Sequence, residues 1–410
     1  MSRAMKDSGI PWIGEIPEGW EVARLKNVCT SNRESLSEKT DKDFEFEYVD
    51  IGSVTFEKGI FNSERITFGN APTRARKRAQ LGDIIISTVR TYLRAIDSIN
   101  SIEKASYIYS TGFAVLTPFK LINSKYLSYI AKSEYFTEQV TAFSKGINYP
   151  SINSTDLLTL GVAFPPLAEQ EAIAAFLDRK CGEVDEMVSL QEQVIEELKA
   201  YKQSVITEAV TKGLNPSAPM KPSNIDWIGQ IPTHWECSQA KHFVLIGHGS
   251  DPKTEGEVPV YGSGATSFRT CGEFKNGPTV LIGRKGATLH IPHFIEGKYW
   301  NVDTAFDVKS KGKIVLKFYY YLAVVFDYKY YISQTTLPGM AQSSYNNMII
   351  PIPPLSEQRE IADYLDRKCA DIDALIALKQ QKIEDLKQYK KSLIYEYVTG
   401  KKQTPNYVFH

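Results

Sequence analysis

The side chains best suited to chemistry in this sequence are cationic, and they gather beside glycine turns and β-type segments. Arg74, Arg76, Lys77 and Arg78 are followed by Arg90, Tyr92 and Arg94, and a second set comprises Arg269, Lys275, Arg284 and Lys285. Guanidinium and ammonium groups in such places can neutralise phosphates, and arginine matches the acceptor pair of guanine. Two loops add polar and aromatic groups that could meet base edges: Lys145, Asn148 and Tyr149 in one, Thr336, Met340 and Gln342 in the other. Plain solvated surface accounts for the same runs, because charge patterning alone is a weak signal. With Lys+Arg 48 and Asp+Glu 48 the formal net charge is zero. That excludes a polycationic tail but leaves a local basic groove open, since only the nearby field steers a ligand.

Constellations that would make or break bonds are missing. There is no N-P-P-Y or D-P-P-Y adenine-methyltransferase motif and no GxxxxGK[ST] phosphate loop. Glu273-x-Lys275 and Asp327-x-Lys329 match only the tail of a metal-nuclease signature, a short match that arises readily by chance. His290 and His293 have no cysteine ligands nearby, so no metal is expected. The five cysteines form no CxxC, and Cys181 and Cys369, at equivalent seam positions, are expected to be small buried residues in a reducing compartment. The start, MSRAMKDSGIPW, lacks an apolar signal core, and no long apolar run follows. A soluble, cytoplasmic protein without a membrane partner and without activity of its own is expected.

The elements that must position these groups are announced by a repeat. FPPLAEQEAIAAFLDRKC, from Phe164, returns as IPPLSEQREIADYLDRKC, from Ile352, and the register holds far beyond it. Each copy reads as one long helix after a Pro-Pro lead-in. Apolar residues recur at alternating steps of four and three: Ile173, Leu177, Cys181, Val184, Val188, Ile195 and Leu198 in the first copy. Ile361, Leu365, Cys369, Ile372, Ile376, Ile383 and Leu386 repeat the pattern in the second. This is a coiled-coil seam, interrupted by Gln191 and Lys379. The two helices are expected to pair with one another, parallel or antiparallel. A second repeated motif, Trp12-Ile13-Gly14-Glu15-Ile16-Pro17-Glu18-Gly19-Trp20-Glu21, returns as Trp227-Ile228-Gly229-Gln230-Ile231-Pro232-Thr233-His234-Trp235-Glu236. Between motif and helix, Gly82–Ser87 and Gly277–Gly283 read as corresponding buried strands. The stretches Lys125–Ala142 and Phe318–Ile332 read as helical or mixed. The expected fold is α+β, a pseudo-two-fold internal repeat with two globules separated by two long helices that pair as a coiled coil. Its boundaries are 1–164, 165–213 (helix), 214–226 (linker), 227–351, 352–401 (helix) and 402–410 (tail).

In the order of its parts the chain resembles the specificity subunit of type I restriction-modification systems. The resemblance is carried by W-I-G-x-I-P-x-x-W-E twice and (F/I)-P-P-L-x-E-Q before each helix. It is carried also by Val280–Gly286, by Tyr299–Phe306, and by Gly339–Ser343 paired with Gly146–Pro150. It implies that the globules are target recognition domains for double-stranded DNA, and that the cationic, polar and aromatic residues named above face it. Different globules imply an asymmetric bipartite target, with the helices as spacers. It further implies two methyltransferase and two restriction/translocase subunits as partners, which bring S-adenosylmethionine, ATP and magnesium, leaving this chain no cofactor. Asp178-Arg179-Lys180 and Asp366-Arg367-Lys368 are a candidate methyltransferase dock, although structural salt bridges would explain them equally. The competing reading is an interaction scaffold whose globules bind proteins; an enzyme in its own right fails on the missing motifs.

Overall fold

The computed structural model describes residues 3–264, 266–332 and 338–405; the expected DNA-facing Thr336 and the end of the expected tail, 406–410, lie outside them. The two long helices span Leu167–Lys212, 46 residues, and Leu355–Val398, 44 residues. Both stop at a glycine in the left-handed region, Gly213 with φ +77° and Gly400 with φ +70°. Such glycines close helices without a Cβ penalty. The seam is buried at Ile173, Leu177, Cys181, Val184 and Ile195 in the first helix and at Ile361, Leu365, Cys369, Ile372 and Ile383 in the second, and half-buried at Val188, Leu198, Ile376 and Leu386.

The chain divides into two compact units, residues 1–190 with 382–410, and 191–381. Each therefore contains the N-terminal half of one long helix and the C-terminal half of the other. Within the first unit the halves run antiparallel: the Phe176 and Tyr397 rings lie 4.5 Å apart, and the Lys390 ammonium is 2.7 Å from Asp185. Within the second unit Lys202 is 2.6 Å from Asp373, while Ile206 and Val210 share a core with Ile361 and Leu365. The pairing is made inside one chain, and it settles the direction that the seam left open.

Both units carry the same pair of four-stranded sheets. In the first unit one sheet runs Ile96–Ser98, Ile84–Ser87, Phe113–Pro118, Cys29–Ser31, all antiparallel. The other runs Glu64–Thr67, Glu45–Val49, Ile108–Ser110, Ala75–Arg78, with its middle pair parallel. In the second unit the orders are His293–Ile295, Thr279–Gly283, Ala305–Ser310, Val244–His248, and Arg269–Cys271, Val258–Tyr261, Lys298–Asn301, Lys275–Asn276. The middle pair of the latter is again parallel. The strands expected to correspond, Ile84–Ser87 and Thr279–Gly283, are buried along their whole length. The first unit adds a small hairpin, Val54–Thr55 with Gly59–Ile60, and a short helix, Ile102–Ser106. The expected helical stretches each divide in two, into Ser124–Lys132 and Glu134–Phe143, and into Leu316–Val324 and Tyr328–Tyr331. Residues 214–226 are not a bare linker: Met220–Pro222 pairs with Gln230–Pro232, as Met5–Asp7 pairs with Glu15–Pro17.

The repeated motifs fasten the long helices to these sheets. The buried Trp20 indole donates to Glu169 at 3.4 Å, and Trp235 donates to Glu357 at 2.9 Å. The adjoining glutamines, both wholly buried, act as plugs. Gln170 accepts from the Asn123 N–H at 2.8 Å and donates to Pro165 O at 2.8 Å; Gln358 accepts from Val315 N–H at 2.8 Å and donates to Pro353 O at 2.9 Å. Asn123 and Val315 are the cap residues of the helices Ser124–Lys132 and Leu316–Val324. An amide side chain satisfies both a free helix-start donor and a loop carbonyl at once, which a carboxylate cannot do.

Candidate nucleic-acid interface

At the end of each central buried strand the chain leaves the sheet in a turn that a second segment braces. In the first unit Thr88 N–H donates to Gly112 O at 2.8 Å, and Ile152 N–H donates to Thr88 O at 2.8 Å. In the second unit Arg284 N–H donates to Thr304 O at 2.8 Å, and Met340 N–H donates to Arg284 O at 2.9 Å. Isolated bridges join Val89 to Ser151 and Lys285 to Gly339. The frameworks match residue for residue, and they correct one expected pairing. Gly339-Met340 corresponds to Ser151-Ile152, not to the Gly146–Pro150 loop. Met340 and Ile152 are each 2% exposed; Met340 is a core plug and cannot reach a base.

Beyond the brace, the first unit presents Arg90, with φ +51°, where the second has Gly286 with φ +110°. Arg90 lies 5.4 Å over the Tyr149 ring. Tyr92 is exposed, and Arg94, also left-handed at φ +47°, pairs with Glu138 at 2.9 Å. Lys145 and Ser151 exchange both backbone hydrogen bonds, at 2.8 and 2.9 Å, closing a hairpin whose tip holds the exposed Asn148 and Tyr149. In the second unit Lys285 is exposed, and Arg284 donates to Asp303 O at 3.0 Å.

The Arg74–Arg78 run carries the last strand of the second sheet of the first unit, Ala75–Arg78, and residues 34–36 cover its outer edge, with Leu36 N–H donating to Arg76 O at 2.7 Å. Arg78 is exposed; Arg76 lies 4.7 Å over Phe68, and Arg74 donates to Tyr48 at 3.1 Å and Asp50 at 2.9 Å. Lys77 points to the other face, where burial pushes its ammonium pKa down. Arg269 pairs with Asp251 at 2.6 Å, and Lys145 lies 3.8 Å from Asp156. Pairs this exposed are worth at most about 1 kcal/mol, so a phosphate could displace the carboxylate.

Two other expected DNA contacts are committed elsewhere. The Lys275 ammonium donates to Asp307 at 2.7 Å, Asn301 at 2.8 Å and His248 O at 3.2 Å, which uses all three of its protons inside the unit. The Gln342 amide donates to Ile246 O at 2.6 Å and its oxygen faces His248 at 3.2 Å. Glu273 caps the Lys253 and Thr254 N–H groups at 2.6 and 3.1 Å; the Thr254 hydroxyl and those N–H groups hold its pKa down to about 2. Its nuclease-like spacing to Lys275 thus reflects two structural roles. Among the described residues no group of three or more His, Cys, Asp or Glu could hold a metal, and no helix is long and apolar enough to cross a membrane.

The candidate methyltransferase dock divides. Asp178 accepts from Tyr129 at 2.8 Å and pairs with Lys125 at 2.7 Å; Asp366 accepts from Tyr321 at 2.6 Å and pairs with Lys317 at 3.4 Å. These aspartates tie each long helix to the helix above it, so their repetition is structural. Lys180 pairs with Glu183 at 2.6 Å and Lys368 lies 5.8 Å over Tyr201. Arg179 and Arg367 are exposed, Arg179 pairing with Glu183 at 2.8 Å.

Fold and site together define a duplicated α+β protein with a braced cationic turn in each copy. The family model "Type I restriction modification DNA specificity domain" matches residues 17–200 and 245–388. That is well over half of the chain, and the chain belongs to this family. It is similar to a Methanocaldococcus jannaschii protein assigned as the type I restriction enzyme MjaX specificity subunit, 25% identical over 420 residues, 95% of each protein. It is similar also to the type I restriction enzyme EcoKI specificity subunit of Escherichia coli K12, 27% identical over 206 residues, 48% of this chain and 44% of that protein. Two solved structures share the fold. One, from work on complex assembly and conformational transition of the type I R-M system, gives TM-score 0.76 at 24% identity over 94% of this chain and 99% of that one. The other, the HsdS subunit from Thermoanaerobacter tengcongensis, gives 0.53 at 22% identity over 94% and 98%. Family membership favours the specificity reading over a scaffold that binds only proteins.

Proposed function

We infer that this chain is the DNA specificity subunit of a type I restriction-modification complex and performs no chemistry itself. Each unit reads one part of an asymmetric, two-part duplex target, and the paired long helices serve as the spacer. Two methyltransferase and two restriction/translocase subunits assemble on the chain and bring S-adenosylmethionine, ATP and magnesium. One observation carries this reading: the two units repeat one topology and one braced turn, yet put different side chains on it, Arg90 and Tyr92 in one and Arg284 and Lys285 in the other. Like frames with unlike surfaces suit two unlike half-sites.

Arg78, Arg90 and Lys285 are the strongest phosphate or base contacts, followed by Arg76, Arg94, Arg269 and Arg284; Arg179 and Arg367 remain available to a methyltransferase. The test is a duplex mobility shift over a salt series, together with mapping of methylated adenines in cells with and without the gene. Affinity should fall steeply with salt, because phosphate contacts release counterions. Methylation should mark one discontinuous word. A single continuous word, or salt-independent binding, would refute the reading.

A further inference from the structure

We propose that Arg90 and the hairpin tip Ile147-Asn148-Tyr149 form the base-reading element of the first unit, with Ile147 as a specificity determinant. The proposal rests on the DNA-specificity reading and deepens it.

Three observations converge on this place. Arg90 adopts φ +51° where the second unit uses Gly286, so the first unit keeps a side chain on backbone that favours glycine. Unlike Arg74 and Arg94, whose guanidiniums meet Asp50 and Glu138, Arg90 has no carboxylate partner among the described residues. Its guanidinium is instead laid over the Tyr149 ring. An unpaired, stacked guanidinium is pre-oriented for the two acceptors of a guanine edge.

Ile147 is 99% exposed at the tip of the hairpin, and Tyr149 is 67% exposed. Of the exposed isoleucines, Ile147 at 99% exceeds Ile102 at 83% and Ile349 at 39%, and it sits at the tip of a closed hairpin beside a guanidinium. Val89, which bridges to Ser151 at the hairpin base, is exposed as well, at 38%. The hairpin does not hang loose. Its base is closed by the paired Lys145 and Ser151, the Thr91 and Ser144 hydroxyls meet at 2.9 Å, and Thr91 N–H donates to Pro150 O at 3.3 Å. The tip and Arg90 are thereby fixed to one another. Apolar tips of this kind contact thymine methyls or wedge into base steps. Arg90 and Lys145 supply the charge that complements the phosphates alongside.

The test is selection of bound duplexes from a randomised library by the full-length chain with its co-purified partners, for wild type, Arg90→Gly and Ile147→Ser. Arg90→Gly removes the side chain from backbone that suits glycine, so the variant should melt no lower than wild type. Each variant should lose discrimination about tenfold at roughly one or two neighbouring base pairs of one part of the word, leaving the other part unchanged. If wild type selects a two-part word and both variants select the identical word, this inference is overturned while the proposed function stands. If wild type selects no word, the proposed function itself fails.

Discussion

Replacing Lys275 by Met separates an interior strut from a DNA contact. The Lys275 ammonium lies 2.7 Å from Asp307, whose side chain is 5% exposed. Without the cation, that carboxylate keeps only the Tyr299 hydroxyl, at 3.2 Å, among its side-chain partners. The Asn301 oxygen loses its donor as well. Breaking a buried pair from one side costs about 3–5 kcal/mol, and for a unit of this size that lowers the melting temperature by roughly 10 °C. Adding Asp307→Asn removes the stranded charge and should restore more than half of the loss. Thermal unfolding followed by circular dichroism gives the stability of each variant, and a salt series of mobility shifts gives its DNA contacts. If Lys275→Met melts with wild type while the salt dependence of DNA binding falls by about one phosphate contact, the strut argument is wrong and Lys275 faces the nucleic acid.

Three further outcomes are expected. Gln170→Ala strands the Asn123 N–H and the Pro165 carbonyl, Gln358→Ala the Val315 N–H and the Pro353 carbonyl, and each should lose about 1–3 kcal/mol in urea unfolding. Arg78→Ala and Lys285→Ala should leave stability within about 0.5 kcal/mol of wild type. Both should weaken DNA binding almost uniformly across sequences and lower the salt slope by about one each. Asp97 is subject to burial, which raises its pKa, but the Ile60 N–H, Lys104 and Lys132 outweigh it and hold the pKa below the ordinary value. Its stabilisation is therefore present above the unfolded pKa of about 4 and is lost as pH falls through the lower folded value. The stability gap between wild type and Asp97→Asn, measured by urea midpoints, should be full near neutrality and close only in acid well below pH 4.

The long helices were legible because their 4-3 spacing is periodic and the Pro-Pro lead-in marks their start. Their direction was not, since a heptad seam reads the same from either end; ion pairs such as Lys390 with Asp185 decide it. The likeness of the two units and the correspondence of their central strands were legible, but the order of the remaining strands was not. Ile84–Ser87 and Thr279–Gly283 do the same work with different side chains, and burial constrains only volume and polarity. Among site residues, the sequence revealed type but not partner. Lys275 looked like any cation beside a turn until Asp307 was found beneath it, and Asp178 and Asp366 were repeated because each clasps a tyrosine. Ile147 carried no periodic signal, and only its exposure makes it conspicuous.

The crossed rooting of the helices sets the order in which a nascent chain can finish folding. Leu393, Ile394, Tyr397 and Val398 belong to the core of the first unit, where the Tyr126 hydroxyl donates to Val398 O at 3.2 Å. Every residue of the second unit precedes Lys382. The portion that leaves the ribosome first is thus the last to be completed, and it waits with an open apolar flank while its younger twin closes.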